Sequence, residues 1–446
     1  MRIKALFSLA ALGYAGLALA QATPAQNVVV EERKSETVTV VVKETPKPPA
    51  FVFELHGFTS LTMYMQDAQF AAGVAPATGQ QALNTIKRWD TDKLVLGFDI
   101  RQTRLNFSVR GPEVLGGATP KAVVEFDMFG PAAGDGGSFG DVSILPRVRL
   151  AYTELNWGGK NILQFGQQNM LTIGLIPQSL RGIAFPMTYA AGTVGWRQPG
   201  IFGYHTLGDD TRFEFAWSIQ RSGWQNTQAA DNLNFGVASG LPAFEARGKL
   251  MFGKMLDLWV SGHWQQVDRN GPGIGENKAL HSTLTTALGT FGLKLDTGML
   301  VLQGSAWWGK NAGPLLGNVV QFMPATVTNV PQIFGYGAWG QVGLNFSKAF
   351  SLWYTYGIDH PSYADIFAAN MNIMRNQNSV AMVRYQAGAF MMGAEWLYSR
   401  TTWNVANAAS NPNVTTPASA AQQLTGLNVD NVLKGNQFSL SFNYYF

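Results

Sequence analysis

The segment Asn436 to Phe446 (NQFSLSFNYYF) alternates without interruption. Phe438, Leu440, Phe442, Tyr444 and Phe446 fall on one face, and Gln437, Ser439, Ser441, Asn443 and Tyr445 on the other. Because a strand sends successive side chains to opposite sides, this one has an oily and a wet surface. The alternation runs into Phe446 with neither polar cap nor turn, and its aromatic content suits a bilayer face flanked by its interfaces.

At the other end, Met1 to Ala20 carries Arg2 and Lys4, an uncharged apolar run from Ala5, and the small-x-small closure Ala18, Leu19, Ala20. These are the parts of a cleaved secretory signal, which is therefore set aside from the fold. The competing reading, a membrane anchor, meets a run too short to span a bilayer comfortably. No later stretch approaches the ~20 apolar residues of a membrane helix. An exported chain that is 46% hydrophobic must then hide its apolar side chains by alternation. With no cysteine, a large closed sheet rather than disulfides has to hold it. Removing Arg2 and Lys4 turns 32 basic residues into 30 against 28 acidic, a net charge of +2 that is no nucleic-acid signature.

From Gln21 to Ala50 the composition changes. Two valine runs, Val28 to Val30 and Val38 to Val42, flank the charged Glu31 to Lys34, and Thr45 to Pro49 (TPKPP) reads as a stiff spacer. Both a periplasmic tail and a small valine-rich strand pair fit. From Phe51 onward one unit repeats: a strand of ~10 alternating residues, a short turn, a second strand, and a longer Gly/Pro/Asn/Ser-rich loop, the asymmetry of a transmembrane barrel with turns in the periplasm and loops outside. Rising strands are expected near Phe53 to Met65, Lys121 to Phe129, Asn161 to Gln168, Thr211 to Gln220, Leu256 to Val267, Met299 to Gly309, Ser351 to Asp359 and Ala389 to Thr401. Descending strands are expected near Leu94 to Gly111, Arg147 to Trp157, Pro199 to Thr206, Pro242 to Gly253, Thr285 to Asp296, Tyr336 to Ser347, Asn378 to Gly388 and Gly435 to Phe446. The expected fold is all-β: a transmembrane antiparallel β-barrel of about sixteen strands over residues 51–446, with an aqueous interior.

Within this barrel, Arg101 to Gly111 (RQTRLNFSVRG), Lys121 to Gly130 (KAVVEFDMFG), Arg147 to Trp157 (RVRLAYTELNW) and Asn161 to Gln168 resemble the early strands of bacterial outer-membrane porins. The stretch is most similar to the trimeric sixteen-stranded DcaP-like porins, whose heptad-patterned N-terminal helix is replaced here by valine- and proline-rich sequence. The resemblance implies a homotrimer surrounded by outer-membrane lipid and lipopolysaccharide. It also implies that the terminal aromatic, Phe446, is read by the barrel assembly machinery.

The alternation places Leu105, Phe107 and Val109 toward lipid and Arg104, Asn106, Ser108 and Arg110 inward; on the next strand Glu125 and Asp127 turn inward. One strand on, Val148, Leu150 and Tyr152 are expected outward, with Arg147 and Arg149 inward. With Arg101 this gives an arginine wall around two carboxylates, either a network that only holds the wall or a basic constriction that draws anions. The third outer loop, about 169–198, is long and apolar (Ile173, Leu175, Ile176, Leu180, Ile183, Phe185), and such residues need burial, which fits inward folding. In the porins this chain resembles, the corresponding loop narrows the lumen; here it carries no acid but Arg181 and Arg197.

His56, His205, His263, His281 and His360 show no ligand spacing, so no metal or other cofactor is expected. No strained strand-to-helix Gly-x-Ser-x-Gly turn, no convincing Ser/His/acid set and no phosphate-binding loop appears, which speaks against an enzyme such as a barrel lipase or protease. A plugged receptor of ~22 strands needs a longer chain. The expectation is a passive channel for small hydrophilic solutes with a preference for anions such as small carboxylates. The alternatives are a non-selective pore, or a structural or adhesin barrel with a blocked lumen.

Overall fold

The structure, a computed structural model, describes residues 28–31, 39–42, 51–70, 85–88, 94–130, 145–223, 235–268, 283–321, 332–369, 371–404 and 432–446. The signal sequence and most of the 21–50 segment lie outside the described residues. The two valine runs pair as a small antiparallel ladder, Val28–Glu31 against Thr39–Val42.

The remaining long strands close into one antiparallel barrel of sixteen strands. They are β1 (Val52–Gln66), β2 (Val95–Asp99 continued by Arg104–Arg110), β3 (Thr119–Asp127), β4 (Arg147–Trp157), β5 (Asn161–Asn169) and β6 (Arg197–Leu207). Next come β7 (Thr211–Gln220), β8 (Ala243–Phe252), β9 (Leu256–Asp268), β10 (Thr283–Asp296) and β11 (Leu300–Lys310). The circuit finishes with β12 (Phe334–Asn345), β13 (Phe350–Pro361), β14 (Ile373–Ala387), β15 (Phe390–Trp403) and β16 (Val432–Tyr445). β16 closes on β1, pairing Gln437 with Gln66 and Tyr445 with Phe58. The backbone of Phe446 then exchanges two hydrogen bonds of 3.0 Å with Gly57.

Alternation decides which side of the wall each residue occupies. On β16 Phe438, Phe442 and Tyr444 are exposed, whereas Gln437, Ser439, Ser441 and Asn443 are buried inside. On β7 Phe213, Phe215 and Ile219 face out, while Ala216, Ser218 and Gln220 are buried on the inner face. No described helix is long and apolar enough to cross a membrane.

Two irregularities break the simple alternation, and both shape the site. On β2, Asp99 opposes Thr62 and Arg104 opposes Phe58, so four residues (100–103) stand against three on β1 (59–61). The extra residue lets Asp99 and Arg104, of opposite parity, both face the lumen. Between β3 and β4 a bulge follows Glu125, so that Phe126 opposes Val148 while Glu125 opposes Leu150, with Arg149 the extra residue. Beyond it the phase of β4 is reversed, and the expectation that Tyr152 faces lipid is corrected. Tyr152 opposes buried Val123 and bonds to Gln168 on the lumen side, and Leu150 sits at the bend opposite Glu125.

Candidate functional site

The connection from β5 to β6, residues 170–196, folds into the barrel and supplies much of its buried apolar matter. Leu171, Leu180, Ala184, Met187, Tyr189, Ala190 and Ala191 are all 2% exposed or less. Leu180 packs with Val301, Trp353, Met382 and Met391, which come from strands on the far side of the barrel from β5. At Gly192, whose φ is +108°, a side chain would collide with the Ala338 carbonyl, so the loop lies against β12.

Apolar burial alone leaves the loop's backbone polar groups to be satisfied. The wall does this with inward side chains on six strands. Glu245 on β8 accepts from the Leu171 amide at 2.5 Å and from Thr172 Oγ1 at 3.0 Å, and His263 Nδ1 lies 3.0 Å from the same carboxylate. Gln341 on β12 both accepts from the Gln178 amide and donates to its carbonyl, each at 2.8 Å. Glu395 on β15 accepts from Ser179 Oγ at 2.8 and 3.0 Å and from the Leu180 amide at 3.0 Å. Asn378 and Asn376 on β14 donate to the carbonyls of Met187 and Ala190 at 2.8 and 3.0 Å. Gln102 accepts from the Ala184 amide at 2.7 Å.

The remaining anchors are the arginines themselves. Arg147 forks onto Asp127, with Nε 3.0 Å from Oδ1 and Nη2 2.5 Å from Oδ2. Arg149 bridges both carboxylates, Nε to Glu125 Oε1 at 2.8 Å and Nη1 to Asp127 Oδ2 at 3.0 Å, and also reaches the Ala184 carbonyl at 3.3 Å. Arg104 lies 3.7 Å from Glu125 and donates to the Ile183 carbonyl at 3.1 Å. Forked pairs of this kind fix direction as well as charge. Arg147 is further enclosed by the rings of Phe185 (4.7 Å), Phe129 (5.6 Å) and Trp196 (5.6 Å).

Arg101 belongs to the same region but answers to another acid, Asp99, through Nη2 to Oδ2 at 2.6 Å. Arg197 stacks on Trp196 at 4.0 Å and makes no ion pair with a described residue. Arg181, on the loop, is buried opposite Glu395 and Asp99; burial holds its guanidinium down to about 10, and these two carboxylates oppose that shift. It stays charged at neutral pH. Arg110 does not join the group: it sits at the turn end of β2, half exposed, 3.6 Å from Glu54.

Around the loop, then, Arg101, Arg104, Arg147, Arg149, Arg181 and Arg197 meet Asp99, Glu125, Asp127, Glu395 and, at the loop's start, Glu245, six arginines against five carboxylates. The sequence pattern alone reveals only Glu125 and Asp127 as opposing charges. The inward parity that exposes Trp396 and buries Glu395 on β15 was the signal for Glu395; Asp99 was hidden by the extra residue in β2. Among the described residues no group of three or more His, Asp or Glu side chains is placed to hold a metal.

The chain has the sixteen-stranded barrel fold of bacterial outer-membrane porins. It is similar in fold to the outer membrane channel DcaP of Acinetobacter baumannii, with a TM-score of 0.64 and 15% identity over 89% of this chain and 97% of that one. It is also similar to an anion-selective porin from Comamonas acidovorans, with a TM-score of 0.52 and 10% identity over 89% of this chain and 100% of that one. OmpF of Salmonella typhi, in complex with daunomycin, aligns with a TM-score of 0.50 and 12% identity over 88% of this chain and 97% of that one. No protein-family model matches the chain, and no curated protein sequence does.

Proposed function

We propose that the protein is a porin of the bacterial outer membrane: a passive diffusion channel for small hydrophilic solutes that favours anions such as small carboxylates. The observation that carries this is the contrast between the two faces of a closed wall. The outer face is a band of Phe, Leu, Val and Tyr, while the inner face is Ser60, Thr62, Gln66, Gln303, Thr355 and their like. A soluble barrel would fill its interior with large apolar side chains, whereas this arrangement suits a wet lumen inside lipid. The channel DcaP and the anion-selective porin, whose fold this barrel shares, support the reading.

The preference for anions rests on the excess of guanidinium groups at the inward loop, whose field is focused by low-dielectric walls. Arg101, Arg147 and Arg149 are already ion-paired, so the preference is modest, and the same pairing favours a second reading, a pore with no selectivity. Reversal potential under a salt gradient decides. Anion preference is expected, weakening as ionic strength screens the field and falling in the Arg149→Gln/Arg181→Gln variant; cation preference in the unmodified channel overturns the assignment.

The same reading makes the protein an exported homotrimer. Phe53, Phe98 and Leu96 give β1 and β2 an exposed apolar outer surface, on which contact between copies is proposed. Mass measured in native detergent micelles tests it, and a strict monomer removes the trimer.

A further inference from the structure

One feature of the wall is unused by a pore. Near the outer ends of β14, β15 and β16, above the long loops rather than the short turns, three cations share the outward face. Register puts Arg400 directly opposite Lys434, and Gln377 opposite Arg400 on the other side, with Arg375 two residues above Gln377. The face is fixed lower down, where Trp396 opposes Phe438 and both are exposed apolar side chains on the lipid side; Arg400 and Lys434 lie four residues above them on the same parity.

Like charges placed directly across a strand pair destabilise it, and here no ion pair to Arg375, Arg400 or Lys434 occurs among the described residues. Asp67, a described carboxylate beside β16, is taken up by the backbone and side-chain amides of Asn436, at 2.6 and 2.8 Å. The Nε–H groups of Arg375 and Arg400 are shielded from water and donate to no described residue, and the hydroxyl of nearby Tyr363 is likewise unmatched. Just below the cations runs an aromatic belt: Trp396 stacks with Tyr398 at 6.3 Å, and Tyr356 accepts from Gln377 at 2.6 Å. In transmembrane barrels such belts mark the membrane–water interface. Residues two to four positions above them, at ~3.3 Å per residue, lie at the depth of lipid headgroups rather than acyl chains.

We infer that Arg375, Arg400 and Lys434 form a binding site for a phosphate group on the headgroup of an outer-leaflet glycolipid. Cross-strand neighbours are ~5 Å apart and diagonal ones ~7–8 Å, a spacing at which one phosphate can be gripped by two arginine forks and a lysine point charge. A lipid is favoured over a free anion because the site opens sideways onto the apolar wall, not into the lumen. The inference rests on the outer-membrane reading above.

The test uses the full chain in detergent, with native mass spectrometry as the readout and bisphosphorylated lipid A, its enzymatically dephosphorylated form, and inorganic phosphate as probes. The phosphorylated lipid is expected to remain bound at least tenfold more than the dephosphorylated one. That difference should vanish in Arg375→Gln/Arg400→Gln/Lys434→Gln. A second variant, Arg375→Lys/Arg400→Lys, keeps the charges without the forks and should retain a weakened preference, so a misfolded triple variant does not leave the question open. Equal binding of the two lipids, or full displacement by millimolar inorganic phosphate, overturns the site. Single-channel conductance of the triple variant should match the unmodified protein, since none of the three faces the lumen. A chain with no conductance that still selects the phosphorylated lipid would refute the pore and leave the site standing.

Discussion

Replacing Glu395 by alanine asks whether inward side chains of the wall hold the 170–196 loop across the lumen. Glu395 is 1% exposed and accepts two hydrogen bonds from the loop, one from the Ser179 hydroxyl shared between its two oxygens and one from the Leu180 amide. Hydrogen bonds to a charged group contribute about 1.5–3 kcal/mol each, and a buried N–H left without a partner costs about 1–3 kcal/mol. Truncation also takes from Arg181 the carboxylate that opposes its desolvation most strongly. Together these make the docked state of residues 178–181 less favourable by roughly 3–5 kcal/mol, since the two bonds share one side chain and do not add in full. At ~1.4 kcal/mol per factor of ten, local opening rises by roughly two to three and a half orders of magnitude. The cost stays local, because Gln341, Gln102 and Asn378 still hold the flanks and the barrel ladder is untouched. Planar-bilayer recordings should therefore show larger and noisier current steps for Glu395→Ala. Glu395→Gln, which keeps one acceptor oxygen, should fall between. Unmodified current level and noise in a folded Glu395→Ala barrel would refute the anchoring argument.

Three further outcomes follow from the same geometry. Phe446 and Gly57 seal the barrel through reciprocal backbone bonds, and a Cβ at Gly57 would strike the Arg104 carbonyl; deletion of Phe446 and Gly57→Val should each reduce the heat-resistant folded band on gels, and unchanged surface assembly without Phe446 counts against the terminal-signal reading. Gly192→Val should displace the loop from β12 and raise conductance, and an unaltered channel would show that the collision is absorbed elsewhere. Burial lowers Arg181 only to about 10, so the difference in reversal potential between the unmodified channel and Arg181→Gln should be the same at pH 6 and pH 8 and shrink only as pH rises past about 10.

The strands were legible in the sequence because a two-sided wall leaves a period that neither packing nor loops can disguise. Thr211 to Gln220 and Arg147 to Trp157 match their observed bounds, and the other strands agree to within a few residues. Inward burial of the third loop was legible for a related reason: Leu180 and Phe185 are too apolar for an exposed link, and both end up buried. What the sequence could not display is where the period slips. One extra residue in β2 and one in β4 change the phase of everything beyond them, and neither is marked by glycine or proline. Those slips are what put Asp99 and Arg104 on the lumen side together and set Arg149 between Glu125 and Asp127. Spacing along one strand shows which arginines share a face but not what pairs with them, because a partner is a property of register. This bears on selectivity directly. Six arginines read as a strongly basic wall when two acids oppose them, and as a weakly basic one when Asp99, Glu245 and Glu395 are added. Arg197, stacked on Trp196 with no described ion pair, then becomes the guanidinium with most charge to spare. Its neutralisation should shift reversal potential more than that of Arg147, whose fork is satisfied by Asp127 and whose loss would free a carboxylate instead.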